Sequence, residues 1–161
     1  MIDVFKSLPT ADTLVAAETL ATMPAEAQSG YSRDTITLGW EDRLKGRGRR
    51  RSDRGVEFGT TLPRGTVLRG GDALFVETLR LLVVIVERPE PVLVITPLNA
   101  QEWGLFGYHI GNSHQPVMFT DREIICLDNL GMRQVLDQFN IPFWEESRPF
   151  TPVSQAADHR H

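Results

Sequence analysis

A chain of 161 residues, 41% apolar and 24% charged, is long enough for one ordinary domain or two small ones and has the composition of a folded, soluble protein. A net charge of −4 argues against binding nucleic acid through overall charge, and no apolar run approaches the ~18 residues of a membrane span. A single cysteine, Cys126, cannot staple the chain to itself, and the opening residues lack a basic segment followed by a long apolar core; a cytoplasmic protein without membrane partners is expected.

Met1 to Leu8 reads as a short opening strand. The alanine-rich stretch Thr10 to Met23 carries Leu14, Ala17 and Ala21 at helical spacing and predicts a weak helix, followed by a loop over 24–30. Asp34 to Trp40 alternates polar and apolar residues, the pattern of a half-buried strand. Next comes a basic run with Arg43, Lys45, Arg47, Arg49, Arg50, Arg51 and Arg54, in which Gly46, Gly48 and Gly55 argue against a continuous helix. Val56–Thr61, Ala73–Val76 and Leu81–Glu87 read as strands, with turns at Pro63-Arg64-Gly65-Thr66 and Arg69-Gly70-Gly71-Asp72. Short strands separated by glycine turns predict a small β sandwich or barrel.

Pro89 and Pro91 mark a boundary, after which the pattern changes. Val92–Ile95 reads as a buried strand and Pro97–Ile110 as a helix ended by Gly111-Asn112. Val117–Phe119 and Glu123–Leu127 read as strands. A second helix, capped by Asp128 or Asn129, runs to about Asn140 and presents Met132, Val135, Leu136 and Phe139 on its apolar face; Ile141–Glu146 is the last strand. The order β-α-β-β-α-β is the split βαβ of ferredoxin-like folds. The expected class is therefore α+β: a small all-β domain over 1–88, a ferredoxin-like βαββαβ domain over 89–150, and a short, flexible, histidine-containing tail over 151–161.

All four histidines lie in the second half. Neutral imidazole is a borderline-soft nitrogen donor suited to transition metals. His159 and His161 form His-x-His in the tail, where a mobile chain can turn both rings to one ion, although a solvated polar tail explains them equally. His109 and His114 are five residues apart, a turn of about 140° on an unbroken helix. The two rings would not meet one metal unless the helix ends between them, and the glycine-asparagine pair releases His114 onto the following connection. A capping or packing histidine is the plainer reading of either. One imidazole per chain makes a poor site; a twofold dimer would double it. Cys126 fits a buried structural thiol, and Glu102, Glu145 and Glu146 fit a solvated face. No metalloprotease, nucleophile-elbow, phosphate-loop or Cys-x-x-Cys motif is present, so no enzymatic activity is expected. The basic run suits an acidic protein surface or phosphates, but lacks aromatic residues for base stacking.

Three blocks in order carry a resemblance: Trp40-Glu41-Asp42-Arg43 leading into the basic run, Leu62-Pro63-Arg64-Gly65-Thr66-Val67-Leu68-Arg69-Gly70-Gly71-Asp72, and Tyr108-His109-Ile110-Gly111-Asn112-Ser113-His114-Gln115-Pro116. From about Asp34 to Phe150 the chain resembles the urease accessory metallochaperones of the UreE family. The resemblance implies an N-terminal β domain that engages partners and a ferredoxin-like domain that dimerises, so that His114 of each subunit meets at the interface. It also implies Ni²⁺ as cargo, a GTPase of the urease maturation complex as direct partner, urease apoprotein as recipient, and His159 and His161 as supplementary ligands. Zn²⁺ or Cu²⁺ would suit the same nitrogen donors. Binding through histidine would weaken as pH falls through about 6.5, the ordinary imidazole value. A tail with two histidines departs from high-capacity storage, and residues 10–29 do not match the family's first strands. The alternative classes are an Arg-rich nucleic-acid-binding protein and a metal-free scaffold.

Overall fold

The computed structural model describes residues 7–153, so the strand expected over Met1–Leu8 and both tail histidines fall outside or largely outside the described residues. The chain divides into two compact units, one ending at Glu87 and the other beginning at Arg88.

The first unit is built on two sheets. One orders Thr10–Ala11 (β1), Glu57–Thr61 (β5) and Arg47–Arg51 (β4) as β1-β5-β4. The other orders Thr13–Val15 (β2), Ala73–Val76 (β6), Leu81–Glu87 (β7) and Ser32–Leu38 (β3) as β2-β6-β7-β3, with β3 parallel to β7. Ala11, Phe58, Ile36, Leu38, Leu74, Val76, Val83 and Ile85 from both sheets share one core, which makes a sandwich.

The helix expected over Thr10–Met23 is corrected. Thr10, Thr13 and Val15 are β-branched and pair as edge strands with β5 and β6, leaving helix only over Ala17–Thr22 (α1). A single helical turn, Ala25–Gln28 (α2), lies in the expected loop, and another, Trp40–Arg43 (α3), ends the third strand two residues early. Leu20, Met23 and Tyr31 pack on Ala73, Phe75 and Leu82, covering the second face of the β2-β6-β7-β3 sheet. Both faces of β7 are therefore covered from Leu81 to Ile85, which accounts for the apolar run there, whereas Val86 is exposed.

The second unit orders Glu90–Ile95 (β8), Ala100–Asn112 (α4), Val117–Phe119 (β9), Ile124–Leu127 (β10), Leu130–Gln138 (α5) and Trp144–Arg148 (β11), with sheet order β11-β8-β10-β9 and every neighbour antiparallel. This is the ferredoxin-like arrangement. Phe106 and Ile110 of α4 and Met132 and Leu136 of α5 bury against Leu93, Ile95, Ile124 and Cys126. The last strand starts three residues later than expected, after Asn140 takes φ 51°. Packing also continues past the expected end of the domain: Phe150 and Pro152 are buried, and the Val153 amide donates to the Val117 carbonyl at 2.9 Å. Residues 151–153 are thus held beside β9 rather than belonging to a free tail.

Candidate metal centre

Helix α4 begins later than Pro97 suggested because Asn99 caps it. The Asn99 side chain accepts from the Glu102 amide at 2.9 Å, while the Glu102 carboxylate accepts from the Leu98 amide at 2.7 Å. Its C-terminus also differs from expectation. Gly111 and Asn112 stay helical, Ser113 donates its hydroxyl to the Ile110 carbonyl at 2.6 Å, and the left-handed residue that reverses the chain is His114, at φ 55°. Its amide donates to the Gly111 carbonyl at 3.1 Å. Histidine tolerates this conformation better than most residues but still stores about 1 kcal/mol of strain, a feature that clusters at functional positions. The imidazole of His114 is exposed.

The two histidines of the Tyr-His-Ile-Gly-Asn-Ser-His block are separated in role. The His109 ring stacks on Phe139 with centroids 3.7 Å apart and planes 15° from parallel, and Tyr108 meets it edge-on at 5.3 Å. His109 thus ties α4 to the end of α5, while His114 faces solvent. Among the described residues, no three His, Cys, Asp or Glu side chains gather where they could hold one metal.

The outer face of α4 carries Gly104, Leu105, Tyr108 and Gly111 at successive turns, with Leu105 half exposed and Tyr108 64% exposed. A Cβ placed at Gly104, Gly107 or Gly111 would meet nothing within 4 Å. Periodicity alone did not single out this face, because only its buried stripe (Phe106 and Ile110) reads as a helix signal.

The other residues weighed from sequence have structural partners. Cys126 is fully buried, and loss of hydration pushes its thiol up to about 12. Arg133 bonds both oxygens of Asp128 at 2.7 Å and reaches Glu145 at 2.6 Å. The Arg133 hydrogen bonds hold the Asp128 carboxyl below its usual range. Arg148 bridges Glu123 and Glu146; hydrogen bonds from Trp144 first, and then Arg148, lower the Glu146 carboxyl. In the first unit, the long turn block over 62–72 is largely scaffolding. Leu62 and Leu68 are core, and the Asp72 carboxylate accepts from the amides of Ala17 at 3.1 Å and Arg69 at 3.0 Å. Gly71, at φ 87°, lets α1 approach so closely that an added Cβ would sit 3.0 Å from the Ala17 side chain.

Comparison with known proteins agrees with this two-unit architecture. Residues 16–87 match the model for the UreE urease accessory protein N-terminal domain, and residues 90–161 match that for the C-terminal domain. The urease accessory protein UreE of Nostoc punctiforme is 35% identical over 129 residues, covering 79% of this chain and 86% of that one. The proteins of the same name from Streptococcus vestibularis and Bacillus cereus are 33% identical over 135 residues (81% and 89% covered) and 30% identical over 128 residues (80% and 84% covered). The matched region takes in both sheets of the sandwich from α1 onward and the whole ferredoxin-like unit with its exposed histidine, and the chain belongs to the UreE family of urease accessory proteins.

Proposed function

We propose that this chain is a non-enzymatic nickel chaperone that binds Ni²⁺ at a site formed when two copies associate through the outer face of α4. The observation that carries this reading is the exposed, strained His114 at the end of a helix whose outward face is apolar, glycine-rich and bare. Each glycine inside a helix costs about 1 kcal/mol relative to alanine. Glycines on an outward surface recover that cost where a second backbone packs closely against them, and Leu105 and Tyr108 supply apolar area to bury there. Twofold packing of this face brings two copies of one helix end together and supplies two imidazoles to one ion. Ligand number supports the same reading: the described residues of each chain offer one exposed imidazole, so further donors must come from elsewhere.

His159 and His161 are the proposed supplementary donors. Val153 is anchored to Val117, three residues from His114, and the six residues from Val153 to His159 span up to ~20 Å when extended. Such a shell stays open to exchange, so that another protein's ligands can displace its own. The proposed recipients are the GTPase of the urease maturation complex and, through it, urease apoprotein in the cytoplasm. Among the described residues, no helix is long and apolar enough to cross a membrane. Zn²⁺ and Cu²⁺ compete for the same nitrogens. The test is Tyr108→Glu, which places two buried charges against each other across the proposed contact. Sedimentation should show a monomer and calorimetry a loss of tight Ni²⁺ binding; a monomer that keeps wild-type nickel affinity refutes the shared site.

A further inference from the structure

Two basic segments that the nickel reading leaves unused meet on the first unit. Leu44–Arg47, leading into β4, and Leu62–Gly65, following β5, line a groove of about 440 Å³. The walls are fixed to each other: the Leu62 amide donates to the Gly46 carbonyl at 2.9 Å, and Arg47 Nε donates to the Leu62 carbonyl at 3.5 Å. A Cβ at Gly46 would lie 3.0 Å from the Pro63 carbonyl oxygen, so glycine is what permits this approach. Half-buried Leu44, buried Leu62 and exposed Pro63 make the lining apolar, while Lys45, Arg47 and Arg64 are exposed around it.

Among the described residues, the charge at this rim is only partly neutralised. Lys45 pairs with Asp42 at 3.2 Å, but among the described residues Arg47 and Arg64 make no ion pair. Of the remainder of the basic strand, only Arg51 is exposed without a partner among the described residues. Arg49 is taken by Glu57 at 3.2 Å, and Arg50 is buried, its guanidinium donating to the Lys45 carbonyl. No aromatic side chain lines the groove for a base to stack on.

We propose that this groove docks an acidic segment of a partner protein, one apolar side chain seated against Leu44, Leu62 and Pro63 and flanking carboxylates paired with Arg47 and Arg64. Planar guanidinium groups match carboxylates through paired hydrogen bonds, and the apolar lining adds a requirement that charge alone would not impose. The proposal does not depend on His114 or on nickel.

The experiment is fluorescence anisotropy on the full-length protein with a labelled peptide, Glu-Asp-Leu-Phe-Glu-Asp-Glu, and with the same peptide carrying Gly-Ser in place of Leu-Phe. Saturable binding is expected for the first. It should weaken at least about tenfold for the Gly-Ser peptide and for Arg47→Ala/Arg64→Ala, but less than about threefold for Arg51→Ala/Arg69→Ala, which removes the same charge elsewhere. Unchanged circular dichroism and an unchanged nickel isotherm establish that both variants are folded. The proposal is overturned by equal loss in the two variants, by equal binding of the two peptides, by a random DNA duplex that binds as tightly and displaces the peptide, or by no binding up to about 1 mM.

Discussion

Replacing His114 by glycine separates metal binding from folding in one substitution. His114 sits at φ 55° immediately after α4, a conformation that costs a non-glycine residue about 1 kcal/mol and costs glycine nothing. The more flexible unfolded chain returns part of this gain, leaving a net stabilisation of about 0.5 kcal/mol, or roughly 2–4 °C in a unit of this size. Metal binding moves the other way. Loss of a group that merely supports a metal ligand costs about 10–100-fold, so loss of the ligand itself from both copies costs more than about 100-fold, equivalent to about 2.7 kcal/mol. Thermal unfolding with and without nickel reads both effects. Without metal the variant should melt at or above the wild type. With nickel at about 100 times the wild-type dissociation constant the wild type should gain about 2.7 kcal/mol and overtake it. A variant destabilised without metal, or one that nickel stabilises as it does the wild type, refutes the reasoning.

Asp72→Ala removes the acceptor of two amide hydrogen bonds that join the 69–72 turn to α1 and should cost about 2–3 kcal/mol in denaturant unfolding, with Asp72→Asn losing about half as much. Cys126, buried with its thiol pushed up to about 12, should resist iodoacetamide at pH 8 in the folded protein and react at a rate set by unfolding. Because Arg133 lowers the folded Asp128 carboxyl, the stability it contributes is complete above the ordinary value of about 4 and is lost as pH falls through the lowered one; Asp128→Asn should flatten the fall of the denaturant midpoint below about pH 4.

Much of the second unit was legible in the sequence because its signals are local and agree. Val92–Ile95 is an apolar run with strand length, Asn129 caps α5, and β9 and β10 are separated by a tight turn, so the βαββαβ order follows. The strands β6 and β7 were equally plain. Residues 10–15 were misread as helix, while 17–22 were read correctly, because alanine content outweighed three β-branched residues whose strand partners, Gly59 and Thr60 on β5 and Ala73 to Phe75 on β6, lie about 50 positions away or more. Local propensity cannot register partners at that distance.

The position of His114 beyond a helix end was also readable, from five-residue spacing and a glycine-asparagine pair. Its left-handed backbone was not, since those two residues were the better candidates and tertiary packing carried the helix through them. Residue type and period were enough to set the order of elements in the second unit and the donor chemistry available, because both are local properties of the chain. Only the closed fold placed His109 on Phe139, brought residues 151–153 beside β9, and set two basic segments, separated in sequence by most of β4 and all of β5, along one groove. Each of these depends on which distant surfaces the closed core brings within contact, a quantity that no local pattern encodes.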